Sequence, residues 1–301
     1  MITILYSVID IGSNTIRLVT YDLSKNNCKA VYTDYRALGL VSEIENDVLK
    51  EKAVDELCKT LAFFKNSSPK GAVIMAFATA FMRVISNSAQ VIQRIVDETG
   101  IEIEVLSEEK EALYSFKGVI SSISGCSRGI VSDLGGGSCE FIRFSESTPT
   151  EHTSFKFGCV KLFKMFVSGD EFPKSEEITD IYNHVTNEIQ KTCWLKDNSV
   201  LIMTGGTARA VAQMDNFFNQ KALPLSNYTL TKEAFNALYN AFTSFDKKYT
   251  DFIFRALNGR IKTIYPGIVA IKAISDFINC DKIIISTEGV REGYLSDKLR
   301  R

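Results

Sequence analysis

The sequence predicts an α/β fold of two domains, each a mixed β-sheet flanked by helices. Three observations predict it. The chain has 301 residues, about twice a common domain length of roughly 150. One glycine-turn hairpin recurs at the head of each half, and strand-like runs alternate with helical ones through both halves.

The hairpins come first. Residues 4–22, ILYSVIDIGSNTIRLVTYD, read as an apolar strand, a tight Asp-x-Gly turn and a second apolar strand. Residues 129–144, GIVSDLGGGSCEFIRF, repeat that outline: Asp133 falls on Asp10, Gly135 on Gly12, Ser138 on Thr15 and Phe141 on Leu18, at a constant offset of 123. Between them the pattern predicts a strand at 28–37, a helix over 47–66, a buried strand at 71–77, a helix at 88–99, a strand at 101–106 and a helix over 107–121. Strands at 150–156 and 199–203 and helices at 158–167 and 175–193 follow. A run of helices extends from about 206 to 279, one of them starting at Pro266, and a strand at 282–287 and a helix at 289–300 close the chain. No proline-rich or glycine-rich linker intervenes. The small polar stretch Ser121 to Ser127 therefore sets the boundary, giving domains 1–122 and 123–301, with the last helix expected to pack back on the first domain.

Composition excludes several classes. Apolar residues make up 45% and charged residues 24%, which is ordinary globular usage. Lys plus Arg total 35 against 36 for Asp plus Glu, so no global positive field holds nucleic acid, and a polyanion needs a local basic site. The N-terminus lacks a basic region ahead of an apolar one, so no secretion signal is expected. The weakly polar run Ala72 to Met82 is too short to span a membrane and reads as a buried strand followed by a loop. Seven cysteines without a Cys-x-x-Cys pair, and only two histidines, argue against a zinc site or disulfide scaffold and for a reducing cytoplasm. His152 and His184 lie outside the turn motifs and read as surface residues.

The turns suggest chemistry. Gly12, Ser13, Asn14 and Thr15 in one, and Gly135, Gly136, Gly137 and Ser138 in the other, offer backbone N–H groups and hydroxyls at a strand end, where glycine lets a phosphate approach the main chain. Each turn adds a carboxylate, and Mg²⁺ takes one or two carboxylates alongside water and phosphate oxygens. Either motif alone also closes an ordinary hairpin; the matched pair favours phosphate binding. Gly206 and Thr207, in Thr204-Gly205-Gly206-Thr207, open a helix whose N–H groups suit an anion. Neither a P-loop nor a G-x-G-x-x-G fingerprint occurs.

Paired Asp-x-Gly hairpins resemble the actin, Hsp70 and sugar-kinase superfamily. IDIGSNTIRLV, ATAFMRVISN (78–87), SEEKEALYSFKGV (107–119), SDLGGGSCEF, FGCVKL (157–162), GGTARA, YPGIVAI and STEGVREGYL resemble, in order and over nearly the whole chain, the exopolyphosphatase and guanosine pentaphosphate phosphohydrolase (Ppx/GppA) family in its short two-domain form. The resemblance implies two actin-like (ribonuclease H-like) domains with an interdomain cleft. It also implies Mg²⁺-dependent release of terminal phosphate from inorganic polyphosphate or guanosine pentaphosphate. Glu111 matches the family's general base and Glu140 its second essential carboxylate. Asp10 and Asp133 match the metal-associated aspartates, with Glu140 joining them as a ligand, and Arg83 matches an arginine near the phosphate. Lys110 stands where many members have glutamate, and Cys139 replaces a threonine whose hydroxyl would otherwise serve metal or water binding.

The residues themselves speak less sharply. Acids at a helix start are stabilising without catalysis. Leu113, Phe116 and Ile120 form an apolar stripe that leaves Glu111, Ser115 and Gly118 on another face, so Glu111 is expected toward solvent or a cleft. Glu140 precedes the apolar run 141–144, where a carboxylate needs a partner; an edge-strand acid is the plain alternative. Arg17, opposite Glu140 in the repeat, and Arg260 are placed to reach farther phosphates or a nucleotide, or simply to solubilise the surface. The expected reaction is in-line attack of water on a terminal phosphoryl group. Guanosine tetraphosphate is a further expected ligand and a homodimer the expected assembly, with neither nucleic acid nor membrane as partner. The competing readings are an ATP-dependent small-molecule kinase, a non-catalytic polyphosphate or alarmone sensor, and an actin-like polymer.

Overall fold

The computed structural model describes residues 4–24, 28–123, 125–169, 172–196, 198–257 and 260–299. The chain divides into two units, residues 1–111 and 112–301.

In the first unit, β1 (Leu5–Ile11) and β2 (Thr15–Asp22) form the first hairpin, antiparallel from Leu5 opposite Asp22 to Ile11 opposite Ile16. β3 (Lys29–Ala37) adds to β2, and the two-residue strands β4 (Ile44–Glu45) and β5 (Val48–Leu49) pair with each other. α1 (Glu51–Ser67) leads to β6 (Val73–Ala78), α2 (Ala80–Val84), α3 (Ser88–Thr99) and β7 (Ile103–Val105). The sheet order is β3-β2-β1-β6-β7, with β6 parallel to β1 and β7 parallel to β6. Val54, Leu57, Leu61 and Phe64 recur at helical spacing on α1 and, with Val91 and Ile95 of α3, cover Ile9, Ile11, Ile16 and Leu18 of the hairpin. Each such side chain contributes roughly 1.5–3 kcal/mol on full burial, so one face of the hairpin is pinned by its helices.

α4 (Glu108–Ser122) runs across the division. In the second unit β8 (Arg128–Leu134), β9 (Cys139–Ser145) and β10 (Thr148–Phe155) form an antiparallel meander. α5 (Cys159–Phe166), α6 (Ser175–Ile189), β11 (Val200–Thr204), α7 (Gly206–Phe218), β12 (Tyr228–Thr231), α8 (Lys232–Thr243), α9 (Lys247–Ala256), α10 (Ile261–Ile278), β13 (Lys282–Ile285) and α11 (Val290–Leu299) follow. The order β10-β9-β8-β11-β13-β12 repeats that of the first sheet strand for strand and adds β12 at its edge. Alternation along the strands sorts the two faces. Ile130, Leu134, Cys139, Phe141, Leu201 and Met203 pack into the core shared with α5, α6, α7 and α10. Val131, Ile142, Phe144 and Ile202 pack against Ala112, Phe116 and Val119 of α4. Asp133, Glu140 and Thr204 stand on the α4 face by the same alternation.

The structure corrects several sequence expectations. The helix expected over 47–66 begins at Glu51, because Val48 and Leu49 pair as β5. The loop expected after the strand near 72–78 contains α2. The helical run 206–279 is interrupted by β12, whose Tyr228 and Leu230 alternate inward. α10 begins at Ile261, and Pro266 lies inside it; burial of Ile264, Tyr265, Ile268 and Ile271 outweighs the one hydrogen bond that the proline forgoes. On α4 the inward stripe is Ala112, Phe116 and Val119, while Leu113 is 37% exposed and Ser115 only 2% exposed. Small residues set that face. Gly118 meets the backbone of Gly289, and a Cβ on Gly293 would lie 1.9 Å from the Tyr114 carbonyl, so α11 lies close along α4. Lys117 and the Tyr114 hydroxyl both donate to Asp297 of α11, at 2.6 and 3.0 Å. These contacts bind α4 from Ala112 onward to the second sheet and to α11, and so the division falls at Glu111, earlier than the expected 122/123. The expected helix end at residue 300 lies outside the described residues.

Candidate active site

The first turn is closed by the Gly12 N–H donating to the Thr15 carbonyl at 3.2 Å. The N–H groups of Val41 and Gly39 then donate to the carbonyls of Ser13 and Asn14, both at 2.9 Å. A trans peptide points its N–H opposite its carbonyl, and the structure has no cis peptides among the described residues. Tying these carbonyls back to the 39–41 loop therefore turns the N–H edges of Asn14 and Thr15 the other way.

The second turn uses the same device. Gly135 N–H donates to the Ser138 carbonyl at 3.0 Å, the equivalent of the Gly12 bond. The start of α5 then takes the turn's carbonyls: Cys159 N–H donates to Gly135, and Val160 and Lys161 donate to Gly136, at 3.0 to 3.1 Å. The N–H edges of Gly136 and Gly137 are thereby directed away from α5. Gly158 permits this approach, since a Cβ there would lie 2.4 Å from the Gly136 carbonyl carbon. The third turn joins the same neighbourhood. Gly205, at φ 98, brings the start of α7 beside the Leu134 carbonyl and Asp133 Oδ1. A Cβ on Gly206 would sit 2.0 Å from the Arg260 guanidinium, so Arg260 covers that helix start. Thr207 is buried, its side chain against Gly267 and Cys159.

The acids of this unit form a row across the sheet. Register places Ser154 beside Glu140, Glu140 beside Asp133 and Asp133 beside Thr204. Asp133 and Thr204 lie toward the carboxyl ends of the parallel strands β8 and β11, the end of an α/β sheet where ligands bind. Ser115 Oγ donates to Asp133 Oδ2 at 3.0 Å, and Ser154 Oγ to Glu140 Oε1 at 3.1 Å. Glu140 is 4% exposed. Cys139, one residue earlier, points to the opposite face in the core, with burial raising its thiol well above the ordinary range. Its replacement of threonine therefore alters packing away from the acids. Asp133 and Glu140 are hard oxygen donors on neighbouring strands, a set that fits Mg²⁺. Asp10, the third expected ligand, belongs to the first unit's sheet. Among the described residues no three His, Cys, Asp or Glu side chains gather into a metal cage.

In the first unit Asp10 stands opposite Arg17 on the hairpin, and Arg17 lies over the Tyr35 ring at 5.9 Å. Glu111 departs from expectation. It is 9% exposed, and Arg83 donates to its Oε2 at 2.7 Å and to the Leu106 carbonyl at 2.7 Å. The helix face that reads as polar is buried, and the cation carried by α2 makes that burial tolerable. Lys110 donates to Glu104 at 2.7 Å, so its charge is met locally. Of the histidines, His152 is exposed and His184 half-buried against Phe166. Sequence patterning does not single out Ser154 and Gly158 as site residues; Ser115, one helical turn beyond Glu111, and Thr204 and Gly205, within the turn that opens α7, carry a visible signal.

Residues 33–301 match the model of the Ppx/GppA phosphatase family. The chain is 29% identical over 306 residues to the bifunctional 3-dehydroquinate synthase/phosphatase of Fusobacterium nucleatum, covering 92% of this chain and 44% of that protein. It thus spans less than half the length of that relative. It is 25% identical to exopolyphosphatase 1 of Mycobacterium leprae, over 97% of this chain and 88% of that one. The solved exopolyphosphatase of Cytophaga hutchinsonii superposes with a TM-score of 0.85 at 24% identity, over 98% of each chain, a likeness of fold.

Proposed function

Because the chain belongs to the Ppx/GppA phosphatase family, we propose that it is a Mg²⁺-dependent phosphohydrolase that releases the terminal phosphate of inorganic polyphosphate. One observation carries this reading: the Asp133–Glu140 pair adjoins a glycine turn whose carbonyls are tied to α5, so that acids for a cation and N–H edges for phosphate oxygens occur together. The Mycobacterium relative's name, exopolyphosphatase, supports polyphosphate as the first substrate to test. Guanosine pentaphosphate, losing its 5′-terminal phosphate, is the second. Cys58, Cys126, Cys139, Cys159, Cys193 and Cys280 are free thiols, which fits a reducing cytoplasm.

The chain's own groups divide the work as follows. Glu111 accepts a proton from the attacking water as its oxygen bonds to phosphorus. The bond to the rest of the phosphate chain breaks in line, and the leaving oxygen departs as an anion. N–H groups of the turns hold the phosphoryl oxygens, and Arg17, Arg83 and Arg260 meet their charge. Asp133 and Glu140, with Asp10, would hold Mg²⁺, which when bound supplies charge neutralisation at the phosphoryl group.

Phosphate release with Mg²⁺ from long polyphosphate, tripolyphosphate and guanosine pentaphosphate, measured in parallel, tests the reading. The wild-type chain is expected to turn over at least one of them. Glu111→Gln is expected to lower kcat by roughly 10²–10⁴-fold with binding retained. Full activity in that variant assigns the base elsewhere, Glu109 first. Binding without turnover points to a sensor, and phosphoryl transfer from ATP to a small hydroxyl compound points to a kinase.

A further inference from the structure

Asp133 and Glu140 occupy directly opposed positions on an antiparallel pair, where like charges are destabilising. Each accepts a serine hydroxyl, and the two serines come from different elements: Ser115 from α4 onto Asp133 Oδ2, Ser154 from β10 onto Glu140 Oε1. A hydroxyl carries no charge, so these bonds fix the direction of each carboxylate without cancelling it. With Oδ2 anchored, the other oxygen of Asp133 lies beside Gly205, 3.3 Å from where a Cβ would stand, on a side that no Gly205 side chain can block.

We infer that Ser115 and Ser154 are positioning residues that hold Asp133 and Glu140 in the orientation a divalent cation requires; the cation itself rests on the proposed hydrolytic function. Ser115 suits the role because it is held in the packed face of α4 and its hydroxyl has little room to turn. Outer partners of metal-binding carboxylates typically govern affinity by about 10–100-fold, more than a surface hydrogen bond would.

The test is Mn²⁺ binding to the full chain without substrate, followed by electron paramagnetic resonance, beside the Mg²⁺ concentration for half-maximal phosphate release. Ser115→Ala and Ser154→Ala are each expected to weaken Mn²⁺ binding and raise the Mg²⁺ midpoint by about tenfold or more. Ser115→Thr, which keeps the hydroxyl, is expected to stay nearer wild type. Thermal melting accompanies each variant. Should Ser115→Ala unfold, Ser154→Ala on its half-buried strand carries the test. Unchanged Mn²⁺ affinity and Mg²⁺ midpoint in folded variants overturn the inference while leaving the hydrolase reading intact. Weakened Mn²⁺ binding in a chain that hydrolyses no phosphate substrate supports the inference and overturns the hydrolase reading. Absence of Mn²⁺ binding to the wild-type chain overturns the inference outright.

Discussion

The two hairpins share a backbone and differ in one decisive side chain. Both turns close with the same bond, Gly12 to Thr15 and Gly135 to Ser138, and both head sheets of the same strand order. Opposite Asp10 stands Arg17; opposite Asp133, at the equivalent position, stands Glu140. The first row continues from Arg17 to Tyr35 and from Asp10 to Phe77 and Glu104, while the second continues to Ser154 and Thr204. A duplicated frame has thus been given opposite electrostatics. An acid and an arginine opposed in register bring both charges together on the first hairpin, and the guanidinium's fork of donors suits an anion. Two acids side by side, each accepting a serine hydroxyl, are the arrangement proposed to meet a cation.

The largest expected effect comes from removing that difference at its source. Glu140→Gln keeps the shape and the acceptor oxygen for Ser154 but removes one charge of the pair. The Mg²⁺ midpoint is expected to rise by more than the roughly 10–100-fold typical of losing an outer partner, because under the proposed function Glu140 is a direct ligand. The measurement is phosphate release over a Mg²⁺ titration. A midpoint equal to wild type would break the comparison, for Glu140 would then matter no more to the cation than the residue at Arg17.

The turns themselves separate next, by stability. A Cβ on Gly158 would lie 2.4 Å from the carbonyl carbon of Gly136 and 2.5 Å from the nitrogen of Gly137, both backbone atoms. Gly12 is roomier, its nearest neighbour being the Thr15 carbonyl oxygen at 3.1 Å. Gly158→Ala is expected to destabilise by about 3 kcal/mol, the upper part of the overpacking range, and Gly12→Ala by about 1 kcal/mol. Urea unfolding of the two variants measures the gap. Equal losses would show that the second turn is packed no more tightly at Gly158 than the first is at Gly12.

Much of this contrast is legible in the amino-acid sequence. An Asp-x-Gly turn between apolar runs has few conformations available, so the hairpins and the pairing of Arg17 with Glu140 in the repeat can be counted off directly. The second strand of the second hairpin begins at Cys139, one residue beyond the match to Thr15. Ser154 cannot be found by counting, because the β9–β10 register shifts between Pro149 and Glu151 and breaks any extrapolation from the strand end. A stripe drawn through large apolar residues puts Ser115 and Glu111 on an outward face, because it ignores how closely Ala112 and Gly118 let α4 pack. The Arg83–Glu111 pair joins α2 to α4 across a strand and a helix, a separation over which local patterning carries no signal.

The smallest expected effect probes the first hairpin. If the Asp10–Arg17 side serves the anion and not the cation, Arg17→Gln should change substrate affinity and leave the metal alone. Arg17 is half-buried, opposite Asp10 in the hairpin register and over the exposed ring of Tyr35, so its guanidinium should lose little freedom on meeting a phosphate. The expected outcome is a KM for long polyphosphate raised about tenfold, equivalent to about 1.4 kcal/mol, with the Mg²⁺ midpoint unchanged. Arg17→Lys should recover part of the loss, because a compact ammonium keeps the charge but loses the planar fork and the stacking on Tyr35. Steady-state phosphate release at several ionic strengths measures both variants, and the advantage of the arginine should shrink as salt screens the phosphate chain. A Mg²⁺ midpoint that moves with Arg17 as it does with Glu140 would mean that the two hairpins act on the cation together, and the division of labour between them would fall.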